Sequence, residues 1–174
     1  ALELTETCFW TFCDDYLELV KDRAYDRDGA YADAEQANRV RSARVALNLT
    51  VDTFLRLLAP VLPYATEEVW SWYREGSVHR ASWPTPEALA AEGNPELVGL
   101  AGSALAALRK VKSEQKVSQR TAFAAVTLQI PAGTAESVEL VRAELVAAAH
   151  VKGDLTIIEA DVAEPEVTSF EFVA

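Results

Sequence analysis

The sequence predicts a mainly α protein: an antiparallel helical bundle over residues 1–120, followed by a small α+β appendage over residues 121–174. Three observations carry this expectation. Apolar residues recur at three- and four-residue steps through most of the first 118 positions. Prolines fall between those runs rather than inside them. Beyond them the period drops from about 3.6 to 2, with β-branched runs on either side of one more helical stretch.

The first helix is expected from residue 2 to about 23. Phe9, Phe12, Cys13, Tyr16, Leu17 and Val20 recur along it, while Asp14, Asp15, Glu18 and Lys21 fall largely elsewhere. Asp26, Arg27, Asp28 and Gly29 read as a turn. A second helix, from about 32 to 59, carries Val40, Ala43, Leu47, Val51, Phe54 and Leu58 as its apolar stripe, with Arg41, Arg44 and Asn48 on a polar face. Pro60 and Pro63 break it. Thr66 is the expected N-cap of a short third helix bearing Val69, Trp70 and Tyr73, with Glu67 and Glu68 in its first turn and Gly76 placed to end it. Residues 78–83 read as a brief extended segment and 84–93 as a connector. Asn94 followed by Pro95 marks a fourth helix. Leu97, Leu100, Ala101, Ala104, Leu105, Leu108 and Val111 line one side of it. Strands are expected over 123–130 and 155–162, with a helix over about 134–149 between them and a further strand over 167–173.

With 174 residues, half of them apolar and a quarter charged, the chain can bury a real core. No run approaches the roughly 18 uncharged apolar residues of a membrane-spanning helix. The best, residues 97–108, is too short and too rich in alanine. The N-terminus lacks a basic-then-apolar leader pattern. Residue 1 is alanine and methionine is absent, so an excised piece of a longer protein is expected. Cys8 and Cys13 sit five apart on one expected helix, too far for an easy bridge. They read as reduced, partly buried thiols of a cytoplasmic protein. A net charge of −11 argues against a non-specific nucleic-acid binder but leaves room for a local basic surface.

Self-contained chemistry is not found. No glycine loop of the phosphate-binding kind, no G-x-S-x-G elbow and no H-E-x-x-H helix occurs. His79 and His150 lack partner motifs and read as surface or loop histidines. Asp14 with Asp15, and Glu67 with Glu68, are adjacent pairs that point about 100° apart on a helix, so neither forms an acid/base pair. No catalytic residue, metal ligand or cofactor site is therefore expected. The run KVSQR at 116–120 superficially matches the K-M-S-K-S signature of class I aminoacyl-tRNA synthetases. That reading is rejected, because no βαβ unit or H-I-G-H partner is expected around it.

Three stretches carry a resemblance: WTFCDDYLELVK at 10–21, LRLLAPVLPYATEEVW at 55–70 and GSVHRASWP at 76–84. In this order and at these separations they resemble the anticodon-binding domain of the valyl-tRNA synthetase family. The second stretch is shared with isoleucyl and leucyl relatives, whereas the F-C-D-x-Y-L-E-x-x-K form of the first looks valyl. LRKVKSEQKVS at 108–118 is similar to the helix that follows in such enzymes. The resemblance is strong over about 1–120 and weak beyond. It implies a class I anticodon-binding bundle and a parent enzyme that joins valine to its tRNA with ATP and Mg²⁺. The parent's catalytic and editing domains would lie outside this stretch, and a C-terminal coiled-coil arm, frequent in the family, is not seen. The alternatives are the same domain of an isoleucyl or leucyl enzyme, or a helical interaction protein of synthetase descent with no tRNA role.

Most of the signature residues, among them Phe12, Tyr16, Leu55, Leu58, Val69 and Trp70, sit at core-facing spacing, so recognition must come from polar groups displayed beside them. Two basic sets are candidates for tRNA contact. One is Lys21, Arg23, Arg39, Arg41 and Arg44, expected to face the anticodon stem-loop if the first two helices form a hairpin. The other is Arg109, Lys110, Lys112, Lys116 and Arg120. Arginine forks bind phosphate, and splayed loop bases stack on guanidinium planes. The bland alternative for each is a solvated helix face.

Overall fold

The computed structural model describes residues 2–25, 34–89 and 93–173. Most are helical, and a three-stranded sheet lies near the C-terminal end. The elements are α1 (Leu2–Thr11), a π-helical segment (Phe12–Tyr16), α2 (Leu17–Tyr25), α3 (Ala34–Leu58), α4 (Pro63–Ser71), α5 (Glu96–Glu114), β1 (Phe123–Pro131), α6 (Ala135–Leu140), α7 (Arg142–Ala148), β2 (Val151–Ala160) and β3 (Glu166–Phe172), with short 3₁₀ turns at Val78–Arg80 and Pro86–Leu89. The turn expected at 26–29 and the start of the second helix near 32 lie outside the described residues.

The chain forms two compact units: Ala1–Asp14 with Arg23–Gly93, and Asp15–Asp22 with Asn94–Ala174. The first helical run thus contributes to both. The division after Gly93 differs from the boundary expected at 120, because α5 packs on β1, β3, α6 and α7.

In the first unit, Phe54 of α3 receives the rings of Phe9 and Phe12 edge-on, at 5.5 and 5.7 Å between centroids. Ala59, Trp70 and Val78 are buried together, flanked by Leu55 and Ala81. Val51, expected in the apolar stripe, is exposed, whereas Val40 and Ala43 are buried. Helix α4 starts at Pro63, three residues before the expected cap, because Pro at a first helical position needs no N–H partner. Thr66 is therefore interior and donates its hydroxyl to Leu62 O at 2.9 Å. Gly76, with φ of +73°, lies beyond the helix it was expected to close. Residues 78–80 form a 3₁₀ turn rather than an extended segment. Glu67 holds it there, accepting from Ser77 Oγ at 2.9 Å and from the Val78 N–H at 3.0 Å.

In the second unit, β1 pairs in parallel with β2 and antiparallel with β3, in the order β2-β1-β3. Strand β1 alternates as its period predicts: Val126, Leu128 and Ile130 are buried, and Thr127 meets Thr156 and Ser169 on the other face. Residues 123–160 therefore form a βαβ unit, contrary to the expectation that none is present; its connector, though, has no phosphate-binding glycine loop. The helix expected over 134–149 is split at Val141, and β2 begins at Val151 rather than 155. Asn94 caps α5 as expected, its Oδ1 accepting from the Glu96 N–H at 3.0 Å. Cys13 is half-buried and Cys8 exposed, a departure from two partly buried thiols; both are free.

Gly153 marks the tightest backbone approach. A Cβ there would lie 1.8 Å from the Ala124 carbonyl oxygen, across the irregular start of the β1–β2 ladder. Gly153→Ala is expected to cost at least about 1–3 kcal/mol of stability, measured by denaturant unfolding. An unchanged midpoint would show that this register relaxes freely.

Candidate nucleic-acid interface

Helix α3 displays one polar groove in the first unit. Ala37, Asn38, Arg41, Arg44, Val45 and Asn48 line about 340 Å³ of open volume. Their spacing of three, four and seven residues places them on one helical face. Ala43, on the far side of the helix, and Val40, at the flank of this face, are buried, while Asn38, Arg41, Arg44, Val45 and Asn48 are exposed. Arg44 is held by its Nε, which donates to Ala24 O at 2.9 Å, and Asn48 donates to Arg44 O at 3.0 Å. Arg41 is exposed and makes no hydrogen bond or ion pair among the described residues. Arg39 is only partly exposed and is engaged within the fold.

The other members of the first expected set behave differently. Arg23, in the same unit, is half-buried and engaged. Lys21 belongs to the second unit. Its Nζ donates to Glu18 Oε2 at 2.8 Å, and the same oxygen accepts from Arg109 Nη2 at 2.6 Å. Burial pushes the Glu18 carboxyl upward, but hydrogen bonds and charge from Lys21 and Arg109 outweigh it and hold the group below the usual range. Lys21 and Arg109 are thus tied to one carboxylate.

The remaining cations of the second set separate by exposure. Lys110 is exposed, 4.0 Å from Glu114, and lines a groove of about 480 Å³ that also contains Glu164 and Glu166. So acidic a lining disfavours a polyanion. Lys116 and Arg120 are exposed, with no side-chain partner among the described residues. Lys112, expected among the displayed groups, is instead only 1% exposed, which corrects that expectation. Leu108 and Val111 of the same helix and Phe123 of β1 are buried with it. The ammonium donates to Ala149 O at 2.6 Å and Gln119 O at 3.0 Å, and lies 4.7 Å from the Phe123 ring centroid. Burial, then the nearby charge of Arg109, lowers its pKa to about 8. The amine still carries its proton at neutral pH.

Sequence reasoning set His150 aside as a bland loop residue. The structure brings it within electrostatic reach of Lys112, Asp22, Lys21 and Arg120. Only the long-range pairing of the βαβ unit could have revealed this. Among the described residues, no group of three or more His, Cys, Asp or Glu side chains converges as metal ligands, and no helix is long and apolar enough to cross a membrane.

Residues 1–128 match the family model of the anticodon-binding domain of tRNA ligases, and the chain belongs to that family. It is 44% identical over 172 residues to the valine--tRNA ligase of Cutibacterium acnes, covering 95% of this chain and 19% of that protein. It is 47% identical over 163 residues to that of Bifidobacterium longum (91% and 18%), and 44% over 187 residues to that of Salinispora arenicola (97% and 21%). The chain thus spans about a fifth of the length of these relatives.

Because Lys112 binds its proton less tightly when folded than when unfolded, the second unit gains stability as pH rises from about 8 towards 10.5. Lys112→Met strands two carbonyls and is expected to lose about 1–3 kcal/mol at pH 7. Its deficit against wild type should widen across that alkaline window in denaturant melts at stepped pH. A gap that narrows there would contradict the buried-cation account.

Proposed function

We propose that this chain is the anticodon-arm recognition module of a valyl-type tRNA ligase, and that valine tRNAs are its RNA partners. The groove on α3 carries the proposal: Arg41, with no partner among the described residues, stands beside a tethered Arg44 and the amides of Asn38 and Asn48. An exposed arginine fork can take a phosphate bidentately, and side-chain amides can read an unstacked base edge. Arg39 and Arg23 are half-buried and engaged, and Lys21, Arg109, Lys110 and Lys116 belong to the second unit. Lys112 acts only by holding backbone.

In this reading the parent ligates valine to its tRNA in the cytoplasm using ATP and Mg²⁺. Both would be held by the parent's other domains; this sequence has no glycine phosphate loop, and no group of three metal-ligating side chains converges among the described residues. The module contributes positioning: docking the anticodon arm fixes where the distant acceptor end lies. An antiparallel helical arrangement within residues 1–120, with 121–174 as an appendage on which α5 packs, forms part of the same proposal. It is supported by the family match over 1–128 and by the packing of Phe9 and Phe12 on Phe54.

The test is equilibrium binding of the 174-residue chain to a valine tRNA anticodon arm, beside an arm with altered anticodon bases, at several salt concentrations. Binding in the range of roughly 10⁻⁴ to 10⁻⁶ M, weakening with salt and favouring the native anticodon, is expected. Arg41→Gln should weaken it about three- to tenfold and reduce the salt slope by about 1. Absence of binding at low salt would instead favour an interaction protein of synthetase descent.

A further inference from the structure

The positive-φ residues other than glycine, among those described, are Lys116 at +55° and His150 at +54°. Both sit one residue past a helix C-cap. After α5, the Lys116 N–H donates to Ser113 O and the Val117 N–H to Lys112 O, each at 3.0 Å, which closes a Schellman motif. After α7, the His150 N–H donates to Ala147 O at 3.2 Å. Glycine is the favoured residue at such a position, since a Cβ in the left-handed region is strained. Here the chain twice carries a side chain that can be cationic, and both side chains are exposed.

The two helix ends are also pinned together. The buried ammonium of Lys112 accepts no choice of neighbour: it bridges Gln119 O and Ala149 O, the carbonyls immediately before Arg120 and His150. The Phe123 N–H donates to His150 O at 3.0 Å and locks the same pair of connectors. Gln119 folds its amide back onto Arg109 O and Ser113 Oγ, which leaves Arg120 outward and exposed. Residues 121–174 are otherwise acidic, with Arg142 and Lys152 as their only basic residues against nine acidic ones, so a cationic edge there stands out from its surroundings.

We propose that Lys116, Arg120 and His150 form a second RNA-contacting locus, which grips backbone phosphates of the docked arm without reading bases. The proposal rests on the reading of the chain as an RNA-arm module and adds the α/β unit to the contact surface. The charged groups that act on His150 are Lys112 of α5, Asp22 and Lys21 of α2, and Arg120 of the connector. Burial and then the charge of Lys112 keep the imidazole below its ordinary pKa, with Lys21 and Arg120 acting in the same direction and Asp22 against them. A phosphate brought to this edge favours the protonated ring.

The experiment uses glycine at the two strained positions, where it relieves the backbone. Lys116→Gly with Arg120→Gln, and separately His150→Gly, are titrated with the valine tRNA anticodon arm, with thermal melts in parallel. Both variants should melt no lower than wild type. The double variant should bind roughly tenfold more weakly near 0.1 M salt, with the salt slope reduced by about 2 and the native-to-altered anticodon ratio unchanged. Wild-type binding should tighten from about pH 7.5 to 5.5, and His150→Gly should lose that increment. Unchanged affinity and slope in the double variant, with Arg41→Gln still weakening binding, would overturn this inference alone. So would lower melting temperatures with unchanged binding, which would make the two cations complements of their helix dipoles. A wild-type chain that binds no arm at low salt would overturn both this inference and the reading beneath it.

Discussion

A charged amine inside an apolar pocket is the constraint on which the second unit depends. Lys112 is buried against the ring of Phe123, and its hydrogen bonds among the described residues go to two backbone carbonyls and to no carboxylate. A buried ammonium persists only where its donors are met. Here the acceptors are carbonyls of two connectors far apart in sequence, so the need to solvate one charge fixes the end of α5, the start of β1 and the turn into β2 together. The ring of Phe123 covers the remaining side. Hydrophobic burial would hold these elements in contact, but the directional bonds decide which backbone atoms meet.

The same economy of charge separates cations that build from cations that remain available. Glu18 takes Lys21 and Arg109 on one oxygen. Asp52, buried in α3, takes Arg56 and Arg74. These arginines and lysines raise the basic count without adding to the outward field. Among the described residues, the exposed cations outside these pairs, such as Arg41 on one unit and Lys116 and Arg120 on the other, are few against a net charge of −11. An acidic molecule with a few exposed cations binds polyanions locally and repels them elsewhere, which favours a defined docking pose over indiscriminate attraction.

Much of the fold was legible in the sequence because helical period and proline placement are local signals. The polar face of Arg41, Arg44 and Asn48 followed from spacing alone, as did the strand alternation at Val126, Leu128 and Ile130. The failures have identifiable causes. Lys112 looked like one more member of a basic run, since sequence carries no mark of a lysine whose acceptors sit 7 and 37 residues away. Thr66 matched a cap, but Pro63 is a better first residue and took the position. The extended reading of 78–83 missed the carboxylate of Glu67, ten and eleven residues upstream of its partners. His150 is unremarkable in sequence and becomes a candidate only when β1 and β2 pair. The family signature, by contrast, was readable as residue types at fixed separations, but its expected core placement holds fully only for Trp70: Phe12, Tyr16, Leu55, Leu58 and Val69 are half-buried, and Trp10, Tyr64 and Trp83 within the same stretches are exposed.

The central claim is that an RNA arm docks on cations that the interior pairs leave outward, on both units. It is tested most directly by amide hydrogen exchange of the chain with and without a valine tRNA anticodon arm. The account predicts slowed exchange over residues 37–48 and over the connectors at 115–122 and 148–152, with the outer sheet face around Asp154, Thr156 and Glu171 unchanged. Protection confined to that acidic face, or spread evenly over the chain, would contradict it.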